Sequence, residues 1–144
     1  MSMMKKLKTG VPGFDILSAG GLPVGRSSLI VGRSGTGKTI FGLQTAAHLA
    51  RNGVKTIVVG VEETAEDLIS TGDGLGLNLT ALRESGQIHV AEIVRPLEEP
   101  TVVNGDYDLY GLVHRIEHLV KQTGAQAIVL DSATALFSPR PRSE

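Results

Sequence analysis

One stretch constrains this chain more than any other: Gly32-Arg33-Ser34-Gly35-Thr36-Gly37-Lys38-Thr39. It reads G-x-x-x-x-G-K-T, the pattern of a loop that cradles phosphate. Its flanks are the ones such a loop needs. Before it, Ser28-Leu29-Ile30-Val31 is a short apolar run that predicts a buried strand. After it, Ile40, Leu43, Ala46, Ala47 and Ala50 recur at helical spacing, and Gly53 offers a stop. Strand, glycine loop and helix in that order aim several backbone N–H groups and a positive helix end at one anion.

The residue types follow from that task. Gly32, Gly35 and Gly37 let the backbone approach phosphate oxygens with no Cβ in the way. Ser34 and Thr36 lie between them, so the loop from Gly32 to Thr39 is the expected binding segment. Lys38 is a point charge suited to β- and γ-phosphates, and the Thr39 hydroxyl is a hard ligand suited to Mg²⁺. ATP with Mg²⁺ is the expected pair of ligands. The alternative is a glycine-rich turn that merely precedes a helix, and the strand and helix on either side weigh against it.

Composition narrows the setting. The chain has 144 residues, which suits one domain with a real core, and 41% of them are apolar. A formal net charge of −1 gives no global field for nucleic acid or an anionic membrane. Aromatic residues are only 3%, which argues against a base-stacking surface, so nucleic acid is not an expected partner. Cysteine is absent, which excludes a disulfide scaffold and zinc–thiolate sites and suits a reducing compartment. No apolar run has the length of a membrane span or a signal peptide, so a soluble cytoplasmic protein is expected. Lys5, Lys6 and Lys8 read as a solvated tail.

Along the chain, strand and helix patterns alternate. Thr56–Val61 is an apolar, β-branched run that ends on Glu62-Glu63. Thr64 then predicts a helix start, with Asp67 three residues on, and the helix runs toward Gly74. Residues 87–93 are a third strand candidate, and 94–107, with Pro96, Pro100 and Asn104-Gly105, an exposed loop. A helix over about 108–123 carries the stripe Leu109, Leu112, Val113, Ile116, Leu119 and Val120. A fourth strand, Ala127–Leu130, ends on Asp131, and Pro139 and Pro141 leave no room for another. Residues 8–26 hold too much Gly and Pro for a long helix, and Phe14, Ile16, Leu17 and Leu22 are expected beside the sheet. The whole predicts an α/β fold, a mostly parallel sheet flanked by helices, with ligands at the carboxyl ends of its strands.

Three acids gather at those ends. Asp131 closes an apolar strand and is expected near Thr39, sharing a metal with it directly or through water. Glu62 and Glu63 are candidates for orienting and deprotonating an attacking water. Successive strand residues point to opposite faces, so only one can aim at it, and Glu62 is the expected base with Glu63 in support. The bland alternative is an acidic pair opening the next helix, where its dipole favours acids. A decoy also occurs: His114-Arg115-Ile116-Glu117-His118 matches H-x-x-E-H, a zinc-protease pattern. The apolar stripe of that helix lies on the other side, so both histidines are expected to face water, with no third ligand.

Several segments together carry a family resemblance. Thr-Gly-Val-Pro-Gly-Phe-Asp, Gly-Gly-Leu-Pro-Val-Gly-Arg-Ser, Gly-Thr-Gly-Lys-Thr, Val-Glu-Glu-Thr-Ala-Glu-Asp and Leu-Asp-Ser-Ala-Thr resemble a RecA-superfamily ATPase domain of the KaiC, circadian-clock type. The likeness runs from about Gly10 to Phe137 and implies a P-loop NTPase, with 1–144 forming a single, partial KaiC/RecA-like domain. It implies ATP hydrolysis, Lys38 and the paired glutamates as catalytic groups, a homo-oligomer (a hexameric ring in the family) and clock or signalling partner proteins. Two departures stand out. Where KaiC-like domains usually carry Arg-Ser-Phe-Gly near the adenine, this chain has Asp73-Gly74-Leu75-Gly76. Such domains also continue well past the Asp131 motif, and in the RecA-type sheet a later strand separates the phosphate-loop strand from the Asp131 strand. The expectation is therefore a truncated chain, a proteolytic remnant, or a sheet that closes differently. Two other functions stay open: a RecA/RadA-like DNA-dependent recombination ATPase, and a nucleotide-binding scaffold with little turnover.

Overall fold

A computed structural model describes residues 4–61, 63–93 and 109–133. Five strands and five helices follow in the order β1 (Lys6–Leu7), α1 (Pro12–Leu17), β2 (Leu22–Pro23), α2 (Lys38–Arg51), β3 (Thr56–Val61), α3 (Ala65–Gly74), α4 (Leu79–Glu84), β4 (Ile88–Ile93), α5 (Leu109–Thr123) and β5 (Ala127–Asp131) among the described residues. The main sheet is parallel and ordered β4-β3-β5, with Gly60 level with both Glu92 and Asp131. The α/β class and the parallel sheet are as the sequence predicts.

β3 lies in the middle because every one of its residues can be buried. Parallel strands covered on both faces read as continuous apolar runs, and Thr56–Val61 is one. Its alternation sorts the core into two layers. Val58 packs with Leu43, Ala46, Ala47 and Ala50 of α2, Leu68 and Ile69 of α3, and Leu79 of α4. Ile57, Val59 and Val61 face the other way, onto Leu112, Ile116, Leu119 and Val120 of α5. Val113, expected in that stripe, is exposed.

The ends of the helices match the signals. Thr64 caps α3, its hydroxyl accepting the Asp67 N–H at 3.1 Å. α2 stops at Arg51, and Gly53 beyond it has φ +84°. α4 has no expectation behind it. Asn78, in the left-handed region at φ 56°, turns the chain into it, and Asp73 anchors it by accepting the Thr80 N–H at 3.1 Å and the Thr80 hydroxyl. The pairing of β1 with β2, antiparallel and two residues long, is likewise unforeseen.

Further expectations fail. Ser28–Val31 is not a strand: it joins neither sheet, and Leu29 and Val31 are 75% and 82% exposed. A strand exists through its neighbours' hydrogen bonds, and among the described residues β5 pairs only with β3, so none is offered here. The direct pairing of 28–31 with 128–131 that a rearranged closure needs is thus not formed. Ile16 and Leu17 do not pack beside the sheet: they are 79% and 89% exposed, and α1, whose Phe14 meets Phe41 of α2, buries none of its residues. The loop expected at 94–107 lies outside the described residues.

Candidate nucleotide-binding site

The glycine loop keeps the turn its sequence demands. Gly35 and Gly37 have φ +80° and +93°, values that side chains resist, and Gly37 is the residue from which α2 starts. A Cβ on Gly32 would lie 2.6 Å from the Thr36 hydroxyl, so a side chain there would push that hydroxyl from its present place. Thr36 ties the turn by donating both its hydroxyl and its N–H to the Arg33 carbonyl, at 2.7 and 3.3 Å. Lys38 reaches back along the loop and donates to the Gly32 carbonyl at 2.5 Å. Ser34 is exposed at the rim. No side chain caps the N-terminus of α2, so its first amides keep their hydrogen-bonding capacity and the helix end its partial positive charge.

Thr39, in the first turn of α2, meets the last residue of β5. Its hydroxyl donates to Asp131 Oδ2 at 2.7 Å, across 92 residues of chain. Close packing of α2 on β5 makes this possible: a Cβ on Gly42 would come within 3.1 Å of Val129 Cγ1. The Asp131–Ser132 peptide is cis. A hydroxyl and a carboxylate side by side are hard oxygen donors of the kind Mg²⁺ takes, so the residues present fit that ion.

Glu63 stands just past the carboxyl end of β3 and is exposed. Its carboxyl is pushed above the ordinary value, first by desolvation and then by the negative charges of Asp131 and Asp67. That influence places Glu63 within electrostatic reach of the Thr39–Asp131 pair. Glu62 lies outside the described residues. His114 and His118 are exposed, on the side of α5 where the sequence puts them; no trio of metal-ligating side chains occurs among the described residues.

Sequence reasoning gave no role to the brace behind the loop. Asp15 accepts the Thr9 N–H at 2.9 Å, the Thr9 hydroxyl at 2.7 Å and the Gly10 N–H at 3.1 Å. Desolvation works upward on its carboxyl, but those bonds, aided by the charge of His48, hold it below the ordinary carboxylate value. The segment so tied docks on α2. Phe14 meets Phe41 edge-to-face with centroids 5.1 Å apart, Gln44 donates to the Gly10 carbonyl at 3.3 Å, and Gly10 leaves no room for a side chain against His48. The available signal was Asp15 itself, a lone acid in a Gly/Pro-rich run.

Asp73-Gly74-Leu75-Gly76 also has a structural explanation. Asp73 is committed to Thr80, and Gly76, at φ +79°, turns the chain from α3 toward α4.

A parallel α/β sheet, a glycine loop opening the helix packed upon it, and an acid at the end of a neighbouring strand define the P-loop, RecA-like class. Within it the chain belongs to the KaiC family of ATPases: the family described as "ATPase: KaiC" matches residues 7–143. The chain is similar to "Circadian clock protein KaiC3" of Synechocystis sp., at 40% identity over 94% of this chain and 27% of that protein. It is similar to "Circadian clock oscillator protein KaiC" of Parasynechococcus marenigrum, at 38% over 93% and 26%. The protein of the same name from Synechococcus elongatus is 36% identical over 92% and 25%. The chain thus spans about a quarter of the length of these curated relatives. No helix among the described residues is long and apolar enough to cross a membrane.

Proposed function

We propose that the segment Gly32–Thr39 binds the phosphates of ATP and that the site hydrolyses the nucleotide, as the ATPase unit of a clock or signalling protein. The observation that carries this reading is the 2.7 Å bond between Thr39 and Asp131, formed at the mouth of the glycine loop. Nothing in core packing calls for a hydroxyl–carboxylate pair there, whereas a metal–triphosphate does. Thr39 and Asp131 would hold Mg²⁺, which supplies charge neutralisation at the β- and γ-phosphate oxygens. The loop amides and the N-terminus of α2 hold the phosphates in place. Lys38 leaves the Gly32 carbonyl for the phosphate charge. Glu62 orients the water and accepts its proton with Glu63 in support, and the raised pKa of Glu63 suits a group that shares in handling that proton.

The test is ATP turnover of the full-length protein. Lys38→Ala is expected to lower kcat/KM by about 100-fold or more, the scale of losing one charge at the developing transition state. Turnover equal to that of the unchanged protein would overturn the reading. Tight ATP binding with no turnover in the unchanged protein would favour a nucleotide-binding scaffold.

A further inference from the structure

The turn between β3 and α3 is held from outside itself. Ala65 is the first residue of α3, so its N–H is one of the donors the helix cannot satisfy internally. Thr64 serves the Asp67 amide instead. The Ala65 N–H goes to Glu92 Oε2 on β4, at 3.0 Å and 27 residues away. Glu92 is half-buried and level with Gly60, the residue that is also level with Asp131 on the other side. Gly60 is the second fastening: a Cβ there would come within 2.7 Å of the Glu63 carbonyl oxygen and of Leu68. The chain therefore doubles back over the end of β3, and Glu63 sits between a glycine that lets it approach and a carboxylate that fixes the next amide but one.

We propose that Glu92 is a positioning residue for ATP hydrolysis, holding the turn that carries Glu63 through the Ala65 amide. This rests on the ATPase reading above. Glu92 touches neither the glycine loop nor the Thr39–Asp131 pair in any bond the structure shows, so its effect falls on the orientation of the glutamate and not on nucleotide affinity. A carboxylate suits the role twice over, since a charged acceptor makes the stronger bond and the N-terminus of α3 favours negative charge. The sequence gives no warning of it: Glu92 reads as one polar position in an alternating strand.

The test uses both ends of the bond in the full-length protein. Glu92→Ala removes the acceptor. Ala65→Pro removes only the donor, and it suits the fold: proline is favoured at the first helical position, and Thr64 already has the extended φ −76°, ψ 155° that a following proline requires. Each is expected to lower kcat by about 10-fold or more while the KM and Kd for ATP stay within about twofold, since small displacements of a reacting group cost rate before binding. Glu92→Gln, which keeps an acceptor oxygen, is expected to recover most of the lost kcat, and Glu92→Ala should add little in the Ala65→Pro background. Should Glu92→Ala fail to fold, Ala65→Pro decides alone. A folded Ala65→Pro protein with unchanged kcat, alongside an inactive Lys38→Ala, overturns the inference and leaves the ATPase reading standing. Unchanged turnover in Lys38→Ala overturns both.

Discussion

Residues 28–31 and 56–61 are written in much the same residue types, yet one is the spine of the sheet and the other lies open. β3 has a parallel partner on each side and a helical layer on each face, and Ile57, Val58 and Val59 are fully buried. Among the described residues Ser28–Val31 has no strand partner, and its Leu29 and Val31 lie open. The difference is not propensity. An apolar β-branched segment becomes a strand when neighbours take its amides and carbonyls, and a preference for the pleated surface has no effect without that surface. What 28–31 keeps is its place in the chain, which delivers the glycine loop to α2.

The comparison can be broken most sharply by amide hydrogen exchange. The β3 amides should exchange only through global opening, about 10³-fold or more slower than those of 29–31 after correction for intrinsic rates. Similar protection in the two segments would mean that 28–31 has a partner the described residues do not show. Substitution gives the next largest contrast. Ile57→Ala should destabilise by about 2–5 kcal/mol in denaturant unfolding, the usual result of emptying a fully buried site. The smallest effect belongs to Leu29→Ser, which should shift stability by no more than about 0.5 kcal/mol, as at other exposed positions. A large loss from Leu29→Ser would place that side chain in a packed interior.

Those two segments also show how much the sequence could reveal. The alternation of periods from 56 onward located β3, α3, β4, α5 and β5, because each buries a face and so carries a pattern. The glycine loop and the approach of Thr39 to Asp131 were legible for a different reason: phosphate chemistry admits few residue types at few spacings. What escaped is interaction between distant residues that leaves no periodic trace. Glu92 on the Ala65 amide, Asp15 on Thr9 and Asp73 on Thr80 are single polar residues whose partners only the fold assigns. α4 escaped because it is under two turns long, too short for a stripe to register. The strand expected at 28–31 erred in the opposite direction, with a strong local pattern and no neighbour to complete it.

The bond between Thr39 and Asp131 has a consequence for how the protein is made. Its two ends leave the ribosome 92 residues apart, an interval on the order of ten seconds at ordinary translation speeds. Throughout that interval the nascent glycine loop waits without its acidic counterpart, and α2 and β3 must hold together unaided by β5. If the proposed nucleotide site is correct, its metal-binding half is completed late, and a ribosome-bound intermediate halted before Asp131 should hold ATP–Mg²⁺ less tightly than the longer chain.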